Sequence, residues 1–190
     1  AQSSIDQLLT GECDVLDESA VLEALALDSL DVQGLARLDE LRGAGAIALS
    51  WSAGSEMERL DFNLAPQSNT PVLFADARTR RAVAACLNRE ALVRDLLFGM
   101  SVVPQGYLPP DHPLQAQDLS QQAADPAAGV RLLEEVGWVD GDGVAATARQ
   151  SEGVAGVPNG TALQFSLLIP QGALHLAVGQ RIQQDLARCG

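Results

Sequence analysis

Side chains that commonly carry out chemistry are sparse in this sequence. The two histidines, His112 and His175, lie far apart and neither sits in a metal-ligand pattern, so a structural role is favoured for each. The acidic run Asp140–Gly143 is similar to the start of a calcium loop. A calcium-binding EF-hand needs a bidentate glutamate at its twelfth position, where this chain has Ser151. A plain Asp/Gly turn is therefore favoured over a calcium site.

Motifs for nucleophilic catalysis and phosphate binding are also absent from the sequence. There is no G-x-S-x-G elbow, no Walker motif and no G-x-G-x-x-G after a predicted strand. Cys86 lies in the apolar helical stretch AVAACL, where a thiol is usually inert. We predict a protein that is not an enzyme and that holds no metal or cofactor. An α/β enzyme with an unrecognised site, and a protein-interaction module built on the helical residues 17–42, remain alternatives.

Hydrophobic periodicity predicts an α/β chain in which several helices flank a small mixed sheet. Helices are expected from Ser3, after Asp17 or Ser19, after Asp31, over 77–87, through Leu92–Leu97, from Asp125 to Gly137, and through Leu174–Cys189. Strands are expected near 13–16, in a hairpin of 47–51 with 60–64 that turns at 53–55, and over 163–169. The proline-rich residues 100–124 are expected to form an irregular segment.

Composition excludes several classes of partner. The chain has 190 residues, a formal net charge of −13 and no lysine, so it has no basic surface for nucleic acid or for an anionic membrane. No apolar run is long enough to span a bilayer, and the first residues are unlike a signal peptide. By itself this indicates a cytoplasmic protein, or a longer protein whose N-terminus has been removed. The final helix also reaches Gly190 without the strand that would be expected to follow it.

Five segments, in order along the chain, resemble the family 5 solute-binding proteins of ABC importers, which carry peptides, nickel chelates and related solutes. They are IDQLLTGECDVL (5–16), FADARTRRAVAACLNREALVRDLLFGM (74–100), SVVPQGYLPPDHPL (101–114), AADPAAGVRLLEEVGWVDGDGV (123–144) and TALQFSLLIPQG (161–172). Some positions depart from the family pattern. Asn88 replaces the usual aspartate, and Asp125 lacks the tyrosine that usually precedes it.

The resemblance implies that residues 1–190 form a single lobe of a two-lobed protein, with the α/β fold of a periplasmic-binding-protein-like II lobe. The solute would bind between this lobe and one that is missing from the chain. The implied partners are a small solute or peptide and the ABC permease subunits in the membrane, with no nucleic acid. The implied location is extracytoplasmic, periplasmic or at the cell surface, with the full-length protein anchored to the membrane as a lipoprotein.

Family analogy also implies which residues contact the solute. These are Trp51, Ser52, Met57 and Glu58 of the predicted hairpin, and Gln171 and Gly172 before the last helix. For Trp51 the alternative is core packing, and for Gln171 it is an ordinary loop position.

The motif residues Arg80, Arg89 and Glu90 are expected to form structural ion pairs at a helix corner. Cys13 and Cys86 both lie in matched segments, and we predict a disulfide between them, with three free thiols as the alternative.

Overall fold

The computed structural model describes residues 3–25, 31–52, 57–64, 71–108, 112–116, 122–144 and 147–190. Its helices and strands are α1 (Ser4–Thr10), α2 (Glu18–Leu25), α3 (Val32–Gly43), α4 (Ala77–Cys86), α5 (Arg89–Leu96), α6 (Pro126–Val136), β1 (Trp138–Val139), β2 (Gln150–Ser151) and α7 (Ala173–Leu186). The chain divides into two compact units. Unit 1 comprises Ala1–Ala53, Ala91–Val102 and Pro170–Val178, and unit 2 comprises Gly54–Glu90, Val103–Ile169 and Gly179–Gly190. The prediction of one lobe over residues 1–190 stays a prediction.

The helix boundaries follow from local capping chemistry. Asp31 and Asp125 are N-caps, and their carboxylates accept hydrogen bonds from the third amide beyond them, at 2.8 and 2.9 Å. Pro126 takes the first position of α6, where a missing N–H costs nothing. Gly137 ends α6 with φ at 106°, a conformation that glycine adopts without strain. The structure confirms the predicted helix positions. They were predictable because each capping signal acts within one helical turn.

The predicted strands are not found among the described residues. Among the described residues, the regions 13–16, 47–51, 60–64 and 163–169 lie in no strand, and the hairpin turn predicted at 53–55 lies outside those residues. The sheet that the structure describes is instead β1 paired with β2, antiparallel, with Trp138 opposite Ser151. Side-chain alternation indicates which face is apolar, whereas a strand also needs a neighbour for its backbone hydrogen bonds.

Unit 2 contains the larger apolar core. Trp138 is fully buried, and its indole Nε1 donates to Thr79 Oγ1 at 3.2 Å, so its one polar group is satisfied inside the core. The buried side chains packed with it are Ala82, Cys86, Leu133, Val136, Val154, Val157, Leu163 and Cys189. Through these side chains α4, α6 and β1 share one core with the end of the chain.

The disulfide in this core corrects our sequence-based prediction. Cys86 is bonded to Cys189, and Cys13 is a free thiol that donates to the carbonyl oxygen of Val15. Cys86 lies one helical turn after Ala82 on the buried face of α4, and both cysteines of the pair are buried. The predicted bond between Cys13 and Cys86 is therefore wrong, because the inward face of α4 meets the end of the chain.

Gly129 makes room for this disulfide. A Cβ atom at position 129 of α6 would lie 2.4 Å from Cys86 Sγ and 3.1 Å from the carbonyl oxygen of Ala82. A Cβ contact as short as 2.4 Å essentially never occurs, so α4 and α6 can approach this closely around the disulfide only with glycine here. Any larger residue at position 129 would therefore have to displace the disulfide or the backbone of α4.

Unit 1 is built on the apolar stripe of α3. Leu35, Leu38 and Leu41 recur every three residues and are all buried. Arg42, in the last turn of α3, donates from Nη2 to the carbonyl oxygen of Phe98 at 3.2 Å. Phe98 has φ at 50°, which is uncommon for a bulky residue, and the contact with Arg42 holds its peptide in place.

The N-cap of α4 provides a pH-dependent test. Arg78 donates to the Asp76 carboxylate from its guanidinium and from its backbone amide, and these bonds lower the pKa of Asp76 from 3.8 to about 2. Asp76→Ala should cost about 1 kcal/mol of unfolding free energy at neutral pH. The value stays small because Asp76 and Arg78 face solvent, which screens the pair. Denaturant titrations of both proteins measure the difference.

The pH dependence follows from the direction of the shift. Because the folded pKa is depressed, the stabilisation is complete above the ordinary carboxyl pKa and is lost as pH falls from about 4 through about 2. Asp61→Ala is a matched control, because Asp61 pairs with Arg59 at the same two-residue spacing outside any described helix. Equal losses for the two variants, or a difference that grows in acid, would contradict the capping role.

Candidate functional site

Gln171 and Gly172 lie immediately before α7 and are both exposed. Gly172 has φ at 131°, which favours glycine, and its carbonyl oxygen accepts from the amide of Leu176 at 3.0 Å. The helix therefore starts at this carbonyl, and the amides of Ala173 and Leu174 have no acceptor within the helix. The positive end of the helix dipole adds to them. This end of α7 can receive a carbonyl or carboxylate oxygen.

The other predicted contact residues lie on either side of residues 53–56, which are outside the described part of the chain. Trp51, Ser52, Met57 and Glu58 are all exposed. Trp51 keeps 43% of its surface accessible, so the alternative of core packing does not hold for it. Trp51 and Ser52 belong to unit 1 with Gln171 and Gly172, whereas Met57 and Glu58 belong to unit 2. That the six line one cleft stays a prediction.

The acidic run at 140–143 uses its carboxylates to hold its own turn. Asp140 Oδ1 accepts from the amides of Asp142 and Gly143, at 3.2 and 2.8 Å. The Val144 amide, and then the Thr147 hydroxyl, donate to Asp142 and lower the pKa of its carboxyl. These are the bonds of Asx turns, so the geometry is that of the favoured Asp/Gly turn.

Arginines of the matched motif fasten loops to the helices of unit 2. Arg80 donates from Nη1 to the carbonyl oxygens of Phe74 and Ala75, at 2.7 and 2.9 Å. Arg89 donates in the same way to the carbonyl oxygen of Gln122. Both residues therefore have the structural role that was predicted, although they act on backbone carbonyls rather than through the expected ion pairs.

Two buried charges in unit 2 were missed by sequence reasoning. Arg149 donates from Nε to the carbonyl oxygen of Cys189 at 2.6 Å and from Nη1 to that of Trp138 at 3.1 Å. Asp185 is fully buried, and its carboxylate accepts a hydrogen bond from the backbone amide of Asn88 at 3.0 Å. Asp185 follows Ile182 by three residues on α7, so its position on the apolar stripe was a usable signal. Arg149 had no such signal, because it lies in a turn-rich segment.

His112 holds its own loop, because its Nδ1 accepts a hydrogen bond from the backbone amide of Leu114 at 3.1 Å. Within the described residues, no group of three or more His, Cys, Asp or Glu side chains is placed to hold a metal ion. The helices in that part of the chain include none that is long and apolar enough to cross a membrane. The six predicted contact residues all lie outside the described helices and strands.

Comparison with a solved structure shows the fold of the protein. The crystal structure of NikA from Brucella suis in complex with Fe(III)-EDTA matches this fold with a TM-score of 0.54 at 22% identity, over 65% of this chain and 23% of that chain. The protein thus has a periplasmic-binding-protein-like α/β fold, as predicted. It belongs to the bacterial extracellular solute-binding proteins, family 5 Middle, whose model matches residues 1–190.

Two further relatives match over smaller shares of this chain. Protein XP55 from Streptomyces lividans is 32% identical over 83 residues, which are 44% of this chain and 15% of that protein. An oligopeptide binding protein from Thermus thermophilus, solved with a pentapeptide, has 27% identity and a TM-score of 0.48 over 62% of this chain and 19% of that chain. The chain therefore spans less than a quarter of the length of each of these relatives.

Proposed function

We propose that this chain is part of the solute-capturing component of an ABC importer and is not an enzyme. The observation that carries the proposal is the match of the solute-binding family to all of residues 1–190. The candidate solutes are a peptide, a nickel chelate or an oligosaccharide. The NikA structure, which holds the metal chelate Fe(III)-EDTA, supports a metal chelate as one of these candidates. The partners are the solute and the permease subunits in the membrane, and the net charge of −13 argues against nucleic acid.

The proposed mechanism is closure of two lobes on the solute. This chain supplies one wall, and the opposite wall comes from a lobe outside residues 1–190. In that wall Trp51 offers an aromatic face, Met57 an apolar side chain, and Ser52, Glu58 and Gln171 polar groups. Gly172 lets the backbone and the first amides of α7 approach the ligand closely. Hinge motion then encloses the solute and excludes water.

The disulfide supports an extracytoplasmic location. Bonds such as Cys86–Cys189 form and persist in oxidising compartments and are rare in the cytosol. The family is described as extracellular, which agrees with this chemistry. A membrane anchor on the full-length protein is part of the same proposal.

Calorimetric titration tests the proposal and its half-site geometry. Residues 1–190 alone, titrated with a mixture of short peptides, should bind no more tightly than about 1 μM, because half of the contacts are absent. In the complete binding protein, Trp51→Ala should weaken peptide binding by about tenfold or more. Tyr107→Ala is the matched control, because Tyr107 is an exposed aromatic residue outside the candidate set.

Two outcomes would contradict the proposal. Sub-micromolar binding by residues 1–190 alone would refute the half-site geometry. A turnover of added substrate that is lost on changing His112 or His175 would indicate an enzyme instead.

A further inference from the structure

The loop that follows β2 carries an Asn-Gly pair, Asn159–Gly160, whose two residues are both exposed. An asparagine before glycine is prone to cyclise on its own backbone, because glycine has no Cβ atom to hinder the approach. The Gly160 nitrogen attacks Asn159 Cγ, a C–N bond forms, and the side-chain amide leaves as ammonia with the proton from that nitrogen. Water then opens the succinimide ring, which leaves aspartate or isoaspartate at position 159.

In the structure both reacting groups are held by other partners. The Gly160 amide donates to the carbonyl oxygen of Ser151 at 2.8 Å, and Asn159 Oδ1 accepts from the backbone amide of Gly153 at 2.8 Å. The attack requires the Gly160 nitrogen to lose its proton and to approach Asn159 Cγ. The bond from Gly160 to Ser151 must therefore break before the ring can form.

The side chain of Ser151 holds this turn closed. Ser151 has no accessible surface, and its Oγ donates to the carbonyl oxygen of Pro158 at 2.5 Å and accepts from the Thr161 amide at 3.0 Å. Pro158 and Thr161 are the first and last residues of the turn, and the Thr161 amide also donates to the Pro158 carbonyl oxygen at 3.2 Å. One buried hydroxyl therefore ties both ends of an exposed turn to β2.

We propose that Asn159–Gly160 is a deamidation site that is unreactive while Ser151 holds the turn closed and that reacts when the turn opens. Opening of a surface loop costs less free energy than global unfolding, so the site can react in a protein that is otherwise folded. Isoaspartate adds a carbon atom to the main chain of the turn. Val154 and Val157, which precede the turn, belong to the core of unit 2, so the modified protein should melt at a lower temperature.

Incubation of the complete protein in mildly alkaline buffer, with and without denaturing guanidinium chloride, tests the site. Cleavage after arginine releases residues 150–181, in which Asn159 is the only asparagine, so the mass of that peptide measures the conversion. Conversion should be at least about tenfold slower in the folded protein than in denaturant, because the reaction requires the turn to open. Asn63, which precedes the bulkier Leu64, is the internal control and should convert far more slowly than Asn159 in denaturant.

Ser151→Ala tests the hold on the turn. The alanine removes both side-chain hydrogen bonds but keeps the carbonyl oxygen that accepts from Gly160, so Asn159 should convert about fivefold faster in the folded variant. Asn159→Gln is the control, because its longer side chain cyclises far more slowly. This control should keep its melting temperature through the same incubation, whereas that of the wild type should fall as isoaspartate accumulates.

Three results would overturn the inference. Equal conversion with and without denaturant would show that the closed turn gives no protection. An Asn159 that stays unmodified in denaturant would not be a deamidation site. An unchanged rate in folded Ser151→Ala would show that Ser151 does not hold the turn. If that variant does not fold, the comparison with denaturant on the wild type still decides whether the turn protects Asn159.

Discussion

Replacing Cys86 and Cys189 together with alanine is expected to lower the free energy of unfolding by about 2 to 5 kcal/mol. The bond joins residues 103 positions apart, and a crosslink across so long a loop strongly restricts the unfolded chain. In the folded state both cysteines belong to the core of unit 2, so the substitution also removes buried contacts.

Denaturant titration without reductant measures this loss, and Cys13→Ala is the matched control. Cys13 is a partly exposed free thiol, so its substitution should change the unfolding free energy by less than about 0.5 kcal/mol. Adding reductant to the wild type during unfolding should reproduce most of the double-variant effect. A loss for Cys13→Ala as large as that for the pair would restore the Cys13–Cys86 assignment, because both variants would then break that bond.

Asp185→Ala is expected to destabilise the protein by about 3 kcal/mol, because it breaks a buried charged network from one side. Asp185 has no accessible surface; its Oδ2 accepts from the Asn88 amide at 3.0 Å and its Oδ1 lies 3.3 Å from Arg181 Nε. The alanine removes the acceptor that ties the start of α5 to α7. The substitution also removes a carboxylate partner of Arg181, whose side chain is largely buried.

Arg188→Ala is the control that distinguishes the buried network of Asp185 from a surface ion pair. Arg188 Nη1 lies 3.5 Å from the same carboxylate, but the side chain is 60% exposed, so its loss should cost less than about 1 kcal/mol. Asp185→Asn keeps an oxygen for the Asn88 amide and should fall between the two variants. Urea titrations measure the unfolding free energy of all three variants. The dependence of that free energy on urea concentration should stay unchanged. Equal losses for Asp185→Ala and Arg188→Ala would place the stabilisation at the surface instead.

Much of the helical framework was predictable because its signals are local. Asp76, Asp125 and Gly137 each act within one helical turn, so their effect does not depend on distant parts of the chain. The predicted strands depended on partners. Residues 163–169 have the right alternation, yet only Leu163 finds a bond, to Arg149. The six candidate contact residues were predicted from family resemblance, and their exposure agrees with that role without testing it.

The sequence by itself determined the family, the helix ends and the acidic, lysine-free surface, because these depend on residue type and on spacings of a few positions. Only the tertiary structure decided which cysteine pairs with Cys86, since Cys13 and Cys189 are equally compatible with the sequence. It also decided that Trp51 is exposed while Asp185 is buried, against the usual preference of both residue types. The physical reason is that pairing and burial depend on which distant segments pack together.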